Sequence, residues 1–149
     1  MKITDLGITG TRQGMNKLQQ KAFLSVVAKL LERYPMLDTF HQGDCIGVDT
    51  QAAKLVKDLY DFTVVAHPPV SKKLVGDFKS DQVREDKTYF ARNRDIVNES
   101  SIMIAITLEN EDPSPKLSGT WYTLNYSIKN KKETYHIKPD GSVDVFNSY

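Results

Sequence analysis

The segment SIMIAIT, Ser101 to Thr107, is the most continuous apolar run in the chain, and segments with helical spacing stand on either side of it. Such a strand reads as buried on both faces, which requires a sheet covered by helices above and below. The rest of the sequence has the matching alternation. ITDLGIT (Ile3 to Thr9) reads as a strand. A helix follows from Asn16 to Pro35, with Phe23, Val26, Val27, Leu30 and Leu31 on one face. Asn16 and Gln19 stand at capping-box spacing. Leu37 to His41 is a second strand, Thr50 to Tyr60 a helix with Ala52, Ala53, Leu55, Val56 and Leu59 inward, and Phe62 to Ala66 a third strand stopped by His67-Pro68-Pro69. Tyr89 to Glu99 is helical with Phe90, Ile96 and Val97 inward. KLSGTWYTLNYSIK, Lys116 to Lys129, carries another helix, and ETYHI is a fifth strand. A Pro139-Asp140-Gly141 turn joins YHIK to SVDVF as a terminal hairpin. The pattern predicts one α/β domain over residues 1–149: doubly wound, with a mainly parallel five-stranded sheet, helices on both faces and a C-terminal β-hairpin.

Bulk properties narrow the function classes. Twenty basic and 19 acidic residues leave a net charge of +1, so no whole-chain field favours nucleic acid or membrane. No stretch approaches the ~20 apolar residues of a membrane span. One cysteine, Cys45, rules out an internal disulfide framework, and the N-terminal MKITDLGITGT does not read as a signal peptide. The expected location is cytoplasmic.

In a sheet of this type ligands sit beyond the carboxyl ends of the strands, where strand order reverses. The residues hardest to explain by packing collect there. After the first strand come Gly10, Thr11 and Arg12, a tight turn, a hydroxyl and a planar cationic fork, or else an ordinary loop with a solvated arginine. After the second strand, Gly43 and Gly47 bracket Asp44, and Asp49 stands at a helix entrance, where it is an N-cap or a site carboxylate. Cys45 reads as a small buried residue rather than a nucleophile. His41 reads as strand-end packing, and three histidines in all argue against a zinc site. The connection after the third strand carries Lys72, Lys73, Lys79, Arg84 and Lys87, either a closure over an anion or a solvated edge. Arg92 and Arg94 are two apart and point in different directions, and Arg92-Asn93 is the pair expected inward. Ser118-Gly119-Thr120 at a helix start offers hydroxyls, unpaired N–H groups and the positive end of a helix dipole. It is a cap, a phosphate cradle or both.

GITGTRQGM, FHQGDCIGVD, HPP, ARNRDIV and SGTWYTLNYSIK, in this order, resemble the SLOG superfamily. This is the Rossmann-like group that includes DNA-processing protein A, the LOG phosphoribohydrolases and the small stand-alone YspA/YpsA-like proteins. The resemblance spans roughly Ile3 to Gly141 and is nearest to the last of these. It implies a nucleotide-derived ligand across the first and fourth strands. Gly10, Thr11 and Arg12 would line one side, Gly43, Asp44 and Asp49 the sugar or base, and Ser118, Gly119 and Thr120 the phosphate. LOG enzymes use a GGxGTxxE loop whose glutamate takes part in catalysis, together with an arginine on the preceding helix. Here the glutamate position is Thr123, and Arg92 matches the arginine.

The expected function is therefore binding of a nucleotide or nucleotide-derived phosphorylated ligand, as a sensor or sequestering module without a cofactor. The ligand residues would be Gly10, Thr11, Arg12, Gly43, Asp44, Arg92, Asn93, Ser118, Gly119, Thr120 and Thr123. One alternative is an N-glycosidase or phosphoribohydrolase in which Asp44, Asp49 and Arg92 are catalytic. A second is single-stranded DNA binding through Tyr89, Phe90, Trp121 and Tyr122, which the near-neutral charge disfavours. A homodimer or larger assembly is expected from the resemblance, with Trp121, Tyr122 and Tyr126 as exposed contacts.

Overall fold

The computed structural model describes residues 2–148. Its elements run β1 (Asp5–Gly10), α1 (Lys17–Arg33), β2 (Thr39–Gln42), α2 (Val48–Tyr60), β3 (Thr63–Ala66), β4 (Gln82–Val83), α3 (Tyr89–Glu99), β5 (Ile102–Ile106), α4 (Gly119–Lys129), β6 (Glu133–Ile137) and β7 (Val143–Phe146). They form one sheet in the order β4-β3-β2-β1-β5-β6-β7, parallel except for β7, which returns antiparallel to β6. The chain builds outward from β1 to β4, then starts again at β5 on the other side of β1. The β1–β5 boundary is thus the point where strand order reverses.

The sheet has seven strands rather than five. β7 is the second arm of the hairpin read from the turn. β4 was not legible, because it is two exposed polar-flanked residues inside the long lysine-bearing connection. It is held at the edge partly by Asp81, which accepts from the Val64 N–H at 2.8 Å and pairs with Lys57 at 3.1 Å.

β5 shows why SIMIAIT is apolar throughout, since all five strand residues are buried. Ile102, Ile104 and Ile106 join the large core with Leu6, Ile8, Phe23, Val27 and Ala53 under α1 and α2. Met103 packs with Ile96 and Val97 of α3, and Ala105 with Trp121 and Leu124 of α4. The period of two sends alternate side chains to opposite helical layers.

The capping box forms as read: the Gln19 N–H donates to Asn16 Oδ1 at 2.8 Å and the Asn16 N–H to Gln19 Oε1 at 3.1 Å. Three side-chain expectations change. Leu59 is exposed at the far end of α2, Phe90 is exposed on α3, and Trp121 is buried rather than a surface contact. α2 begins at Val48, so Asp49 lies in its first turn and Gly47 holds the N-cap position.

Candidate functional site

The carboxyl ends of β1 and β5, with the starts of α2, α3 and α4, enclose a cleft of about 480 Å³. The Thr11 N–H donates to Ile106 O at 3.2 Å and Thr11 O accepts from the Val48 N–H at 3.1 Å, so the loop after β1 is stitched across the switch point. The cleft is lined by Gly10, Thr11 and Arg12 from this loop, Gly43, Cys45 and Asp49 from the β2–α2 turn, Arg92 and Asn93 from α3, and Ser118, Gly119 and Thr120 from α4. Two of the residues named from sequence do not line it, Asp44 and Thr123.

Asp44 sits at φ 61 and does not line the cleft. Its carbonyl accepts from the Gly76 N–H at 2.9 Å, fastening the β2–α2 turn to the long connection. Burial raises its carboxyl pKa, and Lys72 and Arg92 oppose the rise. Thr123 is buried, and its hydroxyl donates to Gly119 O at 2.8 Å one turn back along α4. It lies on the same face as Gly119 but one turn further along the helix, where it is packed inside and does not line the cleft.

The floor is a buried Arg92–Asp49 pair of groups. Arg92 donates through Nη1 to Gly43 O and to His67 O at 3.0 Å, through Nε to Asn93 Oδ1 at 2.7 Å, and weakly through Nη2 to Cys45 Sγ at 3.7 Å. Most of its fork is spent on scaffold, and one Nη2 hydrogen is left for anything in the cleft. Arg94 goes the other way, to Tyr122 Oη at 3.0 Å, so the two arginines divide as their spacing implied. Asp49 accepts from the Cys45 N–H at 3.3 Å. Burial pushes its pKa up to about 6 despite Arg92 and the backbone donors of Cys45 and Gly43. A Cβ on Gly43 would stand 2.8 Å from both Arg92 Nη1 and Asp49 Oδ2, so only glycine leaves room for the two groups. Cys45 is buried, and burial also raises its thiol pKa, as expected of a packing residue rather than a nucleophile.

The opposite wall is the start of α4. The Ser118 hydroxyl accepts from the Trp121 N–H at 3.3 Å, which makes Ser118 the cap. The Gly119 and Thr120 N–H groups have no partner among the described residues. A Cβ on Gly119 would meet only Asn93 Nδ2, at 3.8 Å, so packing does not demand a glycine there and the space above it is open. Asn93 uses Oδ1 on Arg92 and turns its amide donors toward this opening.

The lysine-bearing connection does not close over the cleft. Lys72 pairs with Asp86 of the connection itself at 2.9 Å, Arg84 with Glu99 of α3 at 2.8 Å and Lys87 with Asp95 of α3 at 2.5 Å, and none of the three cations lines the cleft. Sequence reasoning missed Glu109, Leu108 and Leu117 in the cleft wall. Glu109 follows the end of β5, so the rule about residues after strands would have found it.

Away from the cleft, His41 and His67 are both buried. His41 Nε2 lies 2.7 Å from Asp5 Oδ1, and its Nδ1 lies 3.0 Å from His67 Nε2. Donor atoms of His41, His67 and Glu99 converge within 4.8 Å, a spacing open to a metal ion. The two ring centroids, however, are only 5.2 Å apart across the 3.0 Å contact, so the nitrogens point at each other as in an N–H···N hydrogen bond. Burial and His41 lower the His67 pKa to about 4.

No family model and no curated protein matches the chain. Two solved structures share its fold. The structural-genomics target TM1055 superposes with a TM-score of 0.59 at 14% identity, over 89% of this chain and 72% of that one. DNA processing protein A from Helicobacter pylori, described for its single-stranded DNA binding mode, superposes with a TM-score of 0.55 at 16% identity, over 91% of this chain. The chain spans 65% of the length of that protein. These likenesses establish a Rossmann-like fold.

Proposed function

We propose that the chain is a SLOG-type domain whose cleft binds a nucleotide or nucleotide-derived phosphorylated ligand, with the phosphate at the start of α4. One observation carries this reading: the Gly119 and Thr120 N–H groups, without a partner among the described residues, border an opening in which a Gly119 Cβ would meet only Asn93 Nδ2, at 3.8 Å. A helix cap needs Ser118 alone. An anion needs the donors, the dipole and the close approach together. Arg12, exposed on the facing loop, supplies a cation, and a cleft of about 480 Å³ suits a mononucleotide-sized ligand.

The test is Gly119→Ala. The added methyl meets only an ordinary contact at 3.8 Å, and alanine is the better helix former, so thermal stability stays level or rises. Affinity for nucleoside monophosphates, measured by calorimetry, falls at least about tenfold. Unchanged affinity, or a parent that binds no phosphorylated nucleoside, sinks the reading.

A second reading, hydrolysis of an N-glycosidic bond, keeps Asp49 as its carboxylate with Arg92 beside it. Asp49 lines the cleft with a pKa of about 6, which suits a proton donor near neutrality, whereas Asp44 does not line it. Release of free base that is abolished in Asp49→Asn would support it, and no release from any purine or pyrimidine nucleotide would leave binding only. Self-association, if it uses α4, falls to Tyr122 and Tyr126, because Trp121 is buried.

A further inference from the structure

Glu109 is a carboxylate built into the cleft wall by partners that the phosphate reading does not use. Its carbonyl accepts from the Thr107 hydroxyl at 2.7 Å, and His136 Nε2 lies 2.7 Å from the same hydroxyl. The single hydroxyl hydrogen goes to Glu109, so His136 is the donor to Thr107 Oγ1. Thr107 O in turn accepts from Gln19 Nε2 at 2.8 Å, which ties this turn to the capping box of α1. The side chain is held as well: Oε1 accepts from Trp121 Nε1 at 3.0 Å, and the buried indole meets the His136 ring edge-on at 5.0 Å. Glu109 has no salt bridge among the described residues.

A positioned carboxylate without a cation, at the rim of an anion site, has open acceptors and repels a second phosphate. It therefore sets the direction of a ligand: phosphate on the Gly119 and Thr120 N–H groups, hydroxyl donors on Glu109. Glu109 lines the same cleft as Ser118, Gly119 and Thr120. The first donors a nucleoside 5′-phosphate presents beyond its phosphate are the ribose hydroxyls. Phe90, Ile96, Leu108 and Leu117 leave an apolar stretch of wall for the flat base.

We infer that Glu109 accepts a hydrogen bond from the ribose 2′-hydroxyl and makes the cleft selective for ribonucleoside 5′-phosphates over their 2′-deoxy counterparts. This rests on the nucleotide reading above. The experiment is calorimetry of the full chain with the four ribonucleoside 5′-monophosphates and the four 2′-deoxy forms, for the parent and for Glu109→Gln. The parent prefers the ribose form at least about tenfold, the scale of one hydrogen bond to a charged acceptor. Glu109→Gln keeps an oxygen for Trp121 and so keeps its melting temperature. Its preference drops below about twofold, while 2′-deoxy affinity stays within about twofold of the parent. A merely structural glutamate would weaken both series together, and that result overturns the inference. So does a parent that binds both series equally, which leaves nucleotide binding standing and needs no variant to fold. Binding of neither series overturns both readings.

Discussion

Replacing Asp49 by asparagine separates two opposed pH effects inside this fold. Asp49 has a folded pKa of about 6 against an ordinary 3.8, so the folded state binds more protons between those values. Its stability contribution is whole below 3.8 and is lost as pH rises through about 6. The difference of roughly two units, at 1.36 kcal/mol each, makes the cost about 3 kcal/mol once Asp49 is ionised, most of it developed between pH 4 and 7. His67 runs the other way. Its folded pKa of about 4 lies below the ordinary 6.5, so the unfolded chain binds the extra proton and stability is lost as pH falls through that window. The two terms act in opposite directions over overlapping pH ranges, so a stability–pH curve of the parent isolates neither. The assay is urea unfolding of the parent and Asp49→Asn at half-unit steps, read as the difference between the two proteins at each pH. Asparagine keeps an acceptor for the Cys45 N–H. Its stability relative to the parent rises by about 2–3 kcal/mol from pH 4 to pH 7. A difference that is flat across that range refutes the buried, poorly compensated carboxylate, and with it the case for Asp49 as a proton donor.

His67→Asn gives the opposite trend: relative to the parent it gains stability as pH falls from 6.5 toward 4, by unfolding at the same steps, because asparagine has no proton to be refused. Gly43→Ala costs about 1–3 kcal/mol by denaturant midpoint, since its Cβ would press on Arg92 and Asp49 at 2.8 Å and neither buried group has room to retreat. Gly119→Ala, by contrast, leaves the melting temperature level or higher while lowering nucleotide affinity. Together the two glycines distinguish a packing constraint from a ligand opening.

The fold was legible where one element carries its own pattern. SIMIAIT announces burial on both faces without any partner being known, and Asn16–Gln19 closes its capping box within one turn. β4 was hidden because its two residues are defined by pairing with Val65 and Ala66, and nothing in QV itself specifies a strand. Phe90 and Trp121 were misplaced for a related reason. Periodicity gives the phase of a helix, and the neighbour it meets decides which side is inside. Trp121 is buried between Ala105 and Leu124, and Phe90 stands at the cleft against Tyr122, with ring centroids 4.6 Å apart.

At the cleft the same division holds. Residues that follow parallel strands share one rim by topology, so Gly10, Thr11, Arg12, Gly43, Asp49 and the Ser118–Thr120 turn could be named from order alone. The direction of each side chain was set by contacts far apart in the chain. The Asp44 carbonyl is tied to Gly76 of the connection, Arg92 spends its donors on Gly43 and His67, and an indole twelve residues further on fixes Glu109. The sequence by itself determined a parallel sheet between two helical layers, because hydrophobic period and capping are local. Only the tertiary structure decided which polar groups were left with open donors and acceptors facing the cleft, because a hydrogen bond is satisfied in space and leaves no periodic mark along the chain.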